Sequence, residues 1–512
     1  MKNFVILFTE IIFILLMVFG IFPREASLFI TGLLVFYFIF SPLEDSLWVF
    51  IASIPLFVAL PINENFDTLA NWRILVVILF LVWFFKQWSH LAIRWPDTFG
   101  HRMAKWEYLS LIFLGISFLS LFVAEDVWVG LKKIIFLVNA FLIYIVIRNL
   151  AIKNKEVIPK IFSAIKVAIG IVLGVGFFQL LMVFFVNLHQ FWYLWTYNVT
   201  DVFYGKALSY LVAYSNTWFS YYSYQLPTLR MFSVFPDSHS FAFFCILSLS
   251  FIVSLVFLKT GEKKIKTILL YLLLVLGFLA IIFSGSRGAW VSALGVLLVV
   301  IFFIPKLYSK YKKQVQMVLA SLVLFFVLFP VASAILFLPQ YIQLGNEAMM
   351  GFSFFERSRS IFNLNELSVK SRLEIWRRTF DSMVIHPILG VGIGNYPLVL
   401  NEKLSTAKKG SSAHNLYLDF AAEIGIFGLL VLLAVFWYIV KDVWHIFTRA
   451  KESFLQVWTG FFLLALIWIL GYSLFDVVLL NDKVLLFFVI NLGILYGTKS
   501  TISLDKSSHL ER

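Results

Sequence analysis

Apolar runs about as long as a bilayer crossing recur from residue 4 to residue 498, and this pattern excludes most folds at once. The runs are continuous rather than alternating in polarity, so they read as transmembrane helices and not as strands of a barrel. Composition supports the same class. Of the 512 residues 61% are hydrophobic and 13% charged, with a mean hydropathy of +0.92, whereas a soluble domain carries roughly 25% charged residues. The chain is therefore expected to be an all-α polytopic membrane protein with about 12–14 transmembrane helices.

Spans are predicted near 4–22, 26–40, 47–60, 73–86, 107–124, 132–148, 167–187, 238–258, 267–284, 288–305, 316–338, 414–440, 455–477 and 483–498. They divide the chain into a helix bundle at 1–338 and a large, partly helical extracytoplasmic loop at 339–413. C-terminal helices at 414–498 and a cytoplasmic tail at 499–512 follow. The first run follows a single Lys2, exceeds a signal-peptide core and lacks an A-x-A site, so it reads as a retained span. The single cysteine, Cys245, excludes an internal disulfide and a cysteine metal cluster.

The net charge of +13 would suit nucleic acid, but its placement argues for topology instead. With the N-terminus in the cytoplasm, the basic connections at 86–105, 148–160, 259–266, 306–313 and 441–451 all fall on the cytoplasmic side, as does the tail. The short loops around Asn63, Ala124 and Asn481 are poor in Lys and Arg. No nucleic-acid partner is expected.

That orientation places three polar stretches on the outer side. They are an aromatic-rich loop at 188–237 containing Arg230, the turn Ser284-Gly285-Ser286-Arg287-Gly288, and the 339–413 loop leading to His414. Arg230 and Arg287 run against the rule that orients the protein. Each either snorkels to lipid headgroups or faces a polar partner. The aromatic loop reads either as an interfacial belt or as a platform for sugar rings. At Ser284–Gly288 an anion would meet a guanidinium and the free N–H groups of a helix start.

About 75 residues without a span is far longer than an ordinary connection, which marks 339–413 as functional or disordered. It contains an amphipathic pattern, with Leu373, Trp376, Phe380, Met383 and Val384 on one face. Glu374 and Arg378 on that helix are spaced to pair. The following Gly390-Val391-Gly392-Ile393-Gly394 has dinucleotide-loop spacing, but no strand precedes it, so it reads as a tight turn returning the chain to the membrane. His414 then opens an apolar helix whose first turns also hold Asp419 and Glu423. No H-E-x-x-H spacing and no outer-loop Asp-x-Asp pair is present, so neither a metal nor a cofactor is expected.

These segments resemble the O-antigen ligase and polymerase superfamily, which includes protein O-oligosaccharyltransferases. The resemblance rests on Ser284 to Trp290, Arg372-Leu373-Glu374-Ile375-Trp376, His386 to Gly392, Ala413 to Leu418 and Glu423-Ile424-Gly425, in order, within roughly residues 228–440. Where the family more usually has a glycine- and asparagine-containing stretch after its first arginine, this chain has Phe232 to Ser238. The resemblance implies metal-free, inverting transfer of a polyprenyl-diphosphate-linked glycan to a hydroxyl of a glycan, lipid or protein acceptor, outside a bacterial cytoplasmic membrane. It assigns His414 as general base and Arg230 and Arg287 as the diphosphate-binding pair. Arg372, Ser286 and Asn415 are its further substrate-binding candidates. A sugar hydroxyl is too weak an acid for an imidazole to ionise in advance, so such a base acts within the transition state. The competing reading is a polysaccharide transporter or flippase, for which Glu10 is the clear mid-span acid.

Overall fold

The computed structural model describes residues 2–63, 67–98, 103–215, 217–220, 226–258, 264–344, 367–400, 412–450 and 453–507. Tyr221 to Tyr224 of the aromatic loop and the 345–366 and 401–411 parts of the large loop lie outside them. Among the described residues six helices are long and apolar enough to cross a bilayer, or seven if one bent pair counts as a single span. Two short antiparallel strand pairs, Ala59–Leu60 with Leu69–Ala70 and Phe219–Ser220 with Thr228–Leu229, are the sheets among these residues. The protein is an all-α polytopic membrane protein, as its apolar runs predict.

The bundle is built from α1 (Lys2–Val18), α2 (Ala26–Phe40), α3 (Leu43–Ala52), α4 (Trp72–Thr98), α5 (Lys105–Ser120), α6 (Val127–Lys153) and α7 (Val157–Met182). After a segment of short helices come α8 (Ser238–Leu258), α9 (Lys264–Phe283), α10 (Arg287–Leu344) and the loop helix α11 (Leu367–Ile385). Helices α12 (Leu416–Arg449), α13 (Ser453–Tyr472) and α14 (Asp482–Ser507) complete it.

Two predicted elements differ from the structure. The run at 47–60 does not span: α3 stops at Ala52, and a 3-10 turn at Ile54–Leu56 follows, with Pro55 at its centre. Ten helical residues reach about 15 Å, half of a bilayer core. The irregular backbone beyond them survives because 46–60 is enclosed by other helices. The basic loop expected at 306–313 is helix, within the continuous helical stretch Arg287–Leu344. The stretch is helical although Pro305, Pro330 and Pro339 lie within it, each removing one backbone donor from the ladder. On α11 the apolar stripe is only partly covered. Leu373, Phe380 and Val384 are exposed, while Ile375 and Thr379 are buried, with Trp376 and Met383 half-covered beside them.

The two ends of the bundle carry different chemistry. At one end, helix termini predicted to share a side meet through ion pairs: Lys160 and Asn154 both hold Glu44, Arg148 holds Glu107, and Lys499 holds Asp442. At the other end the turns bearing Arg230, Arg287, His414 and Asp476 come together.

The aromatic loop folds on itself there. Trp218 stacks on Phe232 with centroids 4.6 Å apart, and Phe191 and Trp195 close a small core around them. Tyr193, Tyr197, Tyr210 and Tyr214 stay exposed.

Candidate active site

Arg230 is placed from below by a glutamine. Gln179, fully buried on α7, accepts from the Phe232 and Ser233 N–H groups and donates back to the Ser233 carbonyl, at 3.3, 2.7 and 2.9 Å. Ser233 adopts a left-handed φ of 53° and donates its hydroxyl to the Val172 carbonyl. This clamp fixes the chain just after Arg230. The half-buried Arg230 side chain donates Nε–H to the Ser220 hydroxyl at 2.7 Å.

The next backbone contact joins this segment to the Arg287 turn. Met231 N–H donates to the Phe283 carbonyl at 3.0 Å. Helices Ile268–Phe283 and Arg287–Ile301 are bent by 119° across the Ser284–Ser286 break, and Gly285 takes a φ of 62°. Arg287 stands at the first turn of α10 and is half-buried. The Ser286 hydroxyl caps that turn through the Ala289 N–H and also bonds the buried Tyr472 hydroxyl.

His414 is set by contacts on both sides of it. Ala413 donates its N–H to Asp419 Oδ1 at 3.1 Å, and its carbonyl accepts from Trp376 Nε1 of the loop helix at 2.9 Å. Asn415 caps α12 through the N–H groups of Tyr417 and Leu418. Leu416 N–H donates to the Ser473 carbonyl at the end of α13. Between these anchors His414 is held at a φ of 47°, a left-handed conformation that costs a non-glycine residue of order 1–3 kcal/mol and persists only when the surroundings enforce it.

The turn preceding α12 is held against that helix by backbone bonds. Val391 and Gly392 donate to the carbonyls of Ala422 and Glu423, and Ile426 donates to Pro387. These bonds fall where α12 kinks at Ile424 and Gly425. A side chain at Gly390 would press on the Ala422 carbonyl, and one at Gly425 on the Ile388 carbonyl, and both glycines have a φ near 70°. The tight turn read from the glycine spacing is present.

The charged groups meet at Asp476, in the turn after α13. His239 Nδ1 lies 2.5 Å from Asp476 Oδ2, and His414 Nδ1 lies 3.8 Å from Asp476 Oδ1, beyond hydrogen-bond range. Burial pushes the Asp476 carboxyl up, and the hydrogen bond from His239 together with the two imidazoles outweighs it, holding the group well below the usual carboxylate range. Asp237, which caps α8 through the N–H and hydroxyl of Ser240, is raised by burial, with His239 opposing. Two carboxylates beside one imidazole are thus driven in opposite directions, an arrangement common where proton transfer occurs.

The structure therefore brings Ser286 to Tyr472 at the end of α13 and His414 to Asp476 in the turn that follows, sets Asn415 beside His414 as the α12 cap, and links the Arg230 segment to the Arg287 turn through backbone. Arg372 on the loop helix lies within electrostatic range of Tyr472. Asn415 and Ser286 both spend an oxygen on helix caps. Sequence reading missed His239, Asp476 and Tyr472. His239 sat at the start of one predicted span (238–258) and Asp476 at the end of another (455–477); they come together from 237 positions apart. Among the described residues no group of three or more His, Cys, Asp or Glu side chains is arranged to hold a metal ion.

Residues 272–433 match the family model described as O-antigen ligase, which places this segment in the O-antigen ligase superfamily. No match to a curated protein was found. The matched segment contains Arg287, Arg372 and His414; Arg230, His239 and Asp476 lie outside it.

Proposed function

We propose that this chain, through its O-antigen ligase domain, transfers a glycan from a polyprenyl-diphosphate donor to an acceptor hydroxyl at the outer face of a bacterial cytoplasmic membrane. The observation that carries this reading is the meeting of His414 and His239 on Asp476, beside the turn that ends in Arg287.

In this reading Arg230 and Arg287 hold the diphosphate. Arginine is permanently charged and presents a planar donor fork suited to phosphate oxygens. Stabilising the negative charge that builds on the leaving diphosphate is the largest single contribution asked of the site. His414 Nδ1 faces the Asp476 carboxylate, so Nε2 is the ring nitrogen left for the acceptor. As the acceptor oxygen bonds to the anomeric carbon, its proton passes to Nε2. The bond from that carbon to the phosphate oxygen breaks on the opposite face, giving inversion. Asp476 stabilises the imidazolium as it forms, and such general-base assistance contributes roughly 10²–10⁴-fold. Positioning at helix mouths suits a donor whose tail lies in the bilayer.

The test compares wild type with His414→Ala and Arg287→Ala in membranes supplied with a polyprenyl-diphosphate glycan and no added metal. Released polyprenyl diphosphate and the new glycan linkage are followed together. Loss of both products in folded mutants is expected, and undiminished transfer by His414→Ala would overturn the reading. The acceptor found carrying glycan (a lipid A core, a second lipid-linked repeat or a protein Ser/Thr) distinguishes ligase, polymerase and protein O-glycosylation.

A further inference from the structure

Beneath His414 lies a buried charge cluster that the proposed chemistry does not use. Lys133, two turns into α6, reaches across to α12, with Nζ 2.6 Å from Glu423 Oε2 and 3.6 Å from Asp419 Oδ2. The two carboxylates are 2% and 6% exposed, and the lysine lies over the Phe420 ring at 5.0 Å. Asp419 and Glu423 are four residues apart on one helix face, where like charges repel. In so buried a place two carboxylates without a cation would be strongly disfavoured.

Each carboxylate holds a different piece of backbone. Asp419 Oδ1 accepts the Ala413 N–H, immediately before His414. Glu423 accepts a backbone hydrogen bond from Gly394, in the glycine turn. We propose that Lys133 is a positioning residue for His414: it holds Asp419 in place so that the carboxylate fixes the Ala413 peptide and, through it, the left-handed backbone of the base. This rests on His414 being the base. It places a residue of the N-terminal bundle, outside the 272–433 match, in control of the site's geometry.

The consequence is kinetic, because a small misplacement of a reacting group costs up to about 10²-fold in rate. The experiment uses the full-length protein in nanodiscs with a polyprenyl-diphosphate glycan donor. It measures kcat and donor KM together with hydrogen exchange of the 413–416 amides by mass spectrometry. Lys133→Gln is expected to lower kcat about 10–100-fold with donor KM within about two-fold, since the diphosphate contacts are untouched. Lys133→Arg should restore most of the rate. Asp419→Ala should match Lys133→Gln, and the double variant should lose little more, as expected for groups acting through one path. Protection of the Ala413 amide should fall in Lys133→Gln and Asp419→Ala and return in Lys133→Arg.

Wild-type kcat and wild-type Ala413 protection in Lys133→Gln would overturn the proposal. If Lys133→Gln does not fold, the comparison of Asp419→Asn with Asp419→Ala decides. The asparagine keeps an oxygen for the Ala413 N–H and should retain more activity and protection, and equal loss in both would overturn the proposal. An active His414→Ala would remove the base reading itself. An inert His414→Ala beside a normal Lys133→Gln would remove only the role assigned to Lys133.

Discussion

The two ends of the bundle handle buried charge in opposite ways. At the end away from His414, Glu107 is 2% exposed and closed on all sides: Arg148 at 3.0 Å, the Tyr144 hydroxyl at 2.6 Å, and the Ala104 N–H. Every partner is a fixed donor, and no oxygen is directed at an imidazole. At the other end Asp476 is shared unequally between two histidines, and the nearer half of His414 sits 3.8 Å away with Nδ1 buried and without a hydrogen-bond partner. The first arrangement stabilises a fold. The second leaves a proton acceptor in a strained backbone against a carboxylate held ionised, which is suited to changing its protonation during a reaction.

If this contrast is correct, Glu107→Gln should destabilise the protein by about 3–5 kcal/mol, because it strands the Arg148 guanidinium, while kcat of the folded fraction stays unchanged. Thermal unfolding in detergent beside a transfer assay reads both. Asp476→Asn should do the reverse, lowering kcat about 10²-fold, or about 2.7 kcal/mol in the barrier, with donor KM little altered.

The stability that Asp476 does contribute has a defined pH window. Its folded pKa is depressed, so its contribution is complete above the ordinary carboxylate value of ~3.9 and is lost only as pH falls through the lower folded value. The gap in melting temperature between wild type and Asp476→Asn should therefore close as pH falls below the ordinary carboxylate value. A gap that widened there would contradict the sign.

Gly425→Ala should cost about 1–3 kcal/mol of stability and reduce transfer as well, since the kink and the turn that returns the chain to His414 share those bonds. The smallest effect belongs to Glu44→Gln at the opposite end. Its partner Lys160 is 47% exposed, so the loss should be about 0–1 kcal/mol with normal transfer.

The polytopic class was legible because an apolar run of bilayer length has few other uses. The glycine turn was legible for a related reason: each of its three glycines takes a positive φ that side chains resist. His414, Arg287 and Ser286 were proposed as site residues because they lie in short local motifs. What stayed hidden depends on distance along the chain. Nothing near His239 signals a carboxylate arriving from a turn at 476, and nothing near Asp419 signals a lysine from α6. Glu10, read as a mid-span acid with transport potential, accepts the Ser53 hydroxyl at 2.5 Å and is 1% exposed. The apolar stripe on α11 was read from its spacing alone, and only part of it packs. Periodicity reports that a face avoids water, and Leu373, Phe380 and Val384 are exposed while the Ile375–Thr379 side packs.

The placement of Tyr472 at the end of α13, and of Asp476 in the turn after it, also sets an order in time. Chains enter the membrane as they are synthesised, so both arginines and both histidines leave the ribosome before the carboxylate that joins the histidines and the phenol that braces Ser286. A nascent chain ending at Gly471 would hold both arginines and both histidines but lack the groups that His239 and Ser286 bond, so the proposed site closes only when the framework is nearly complete.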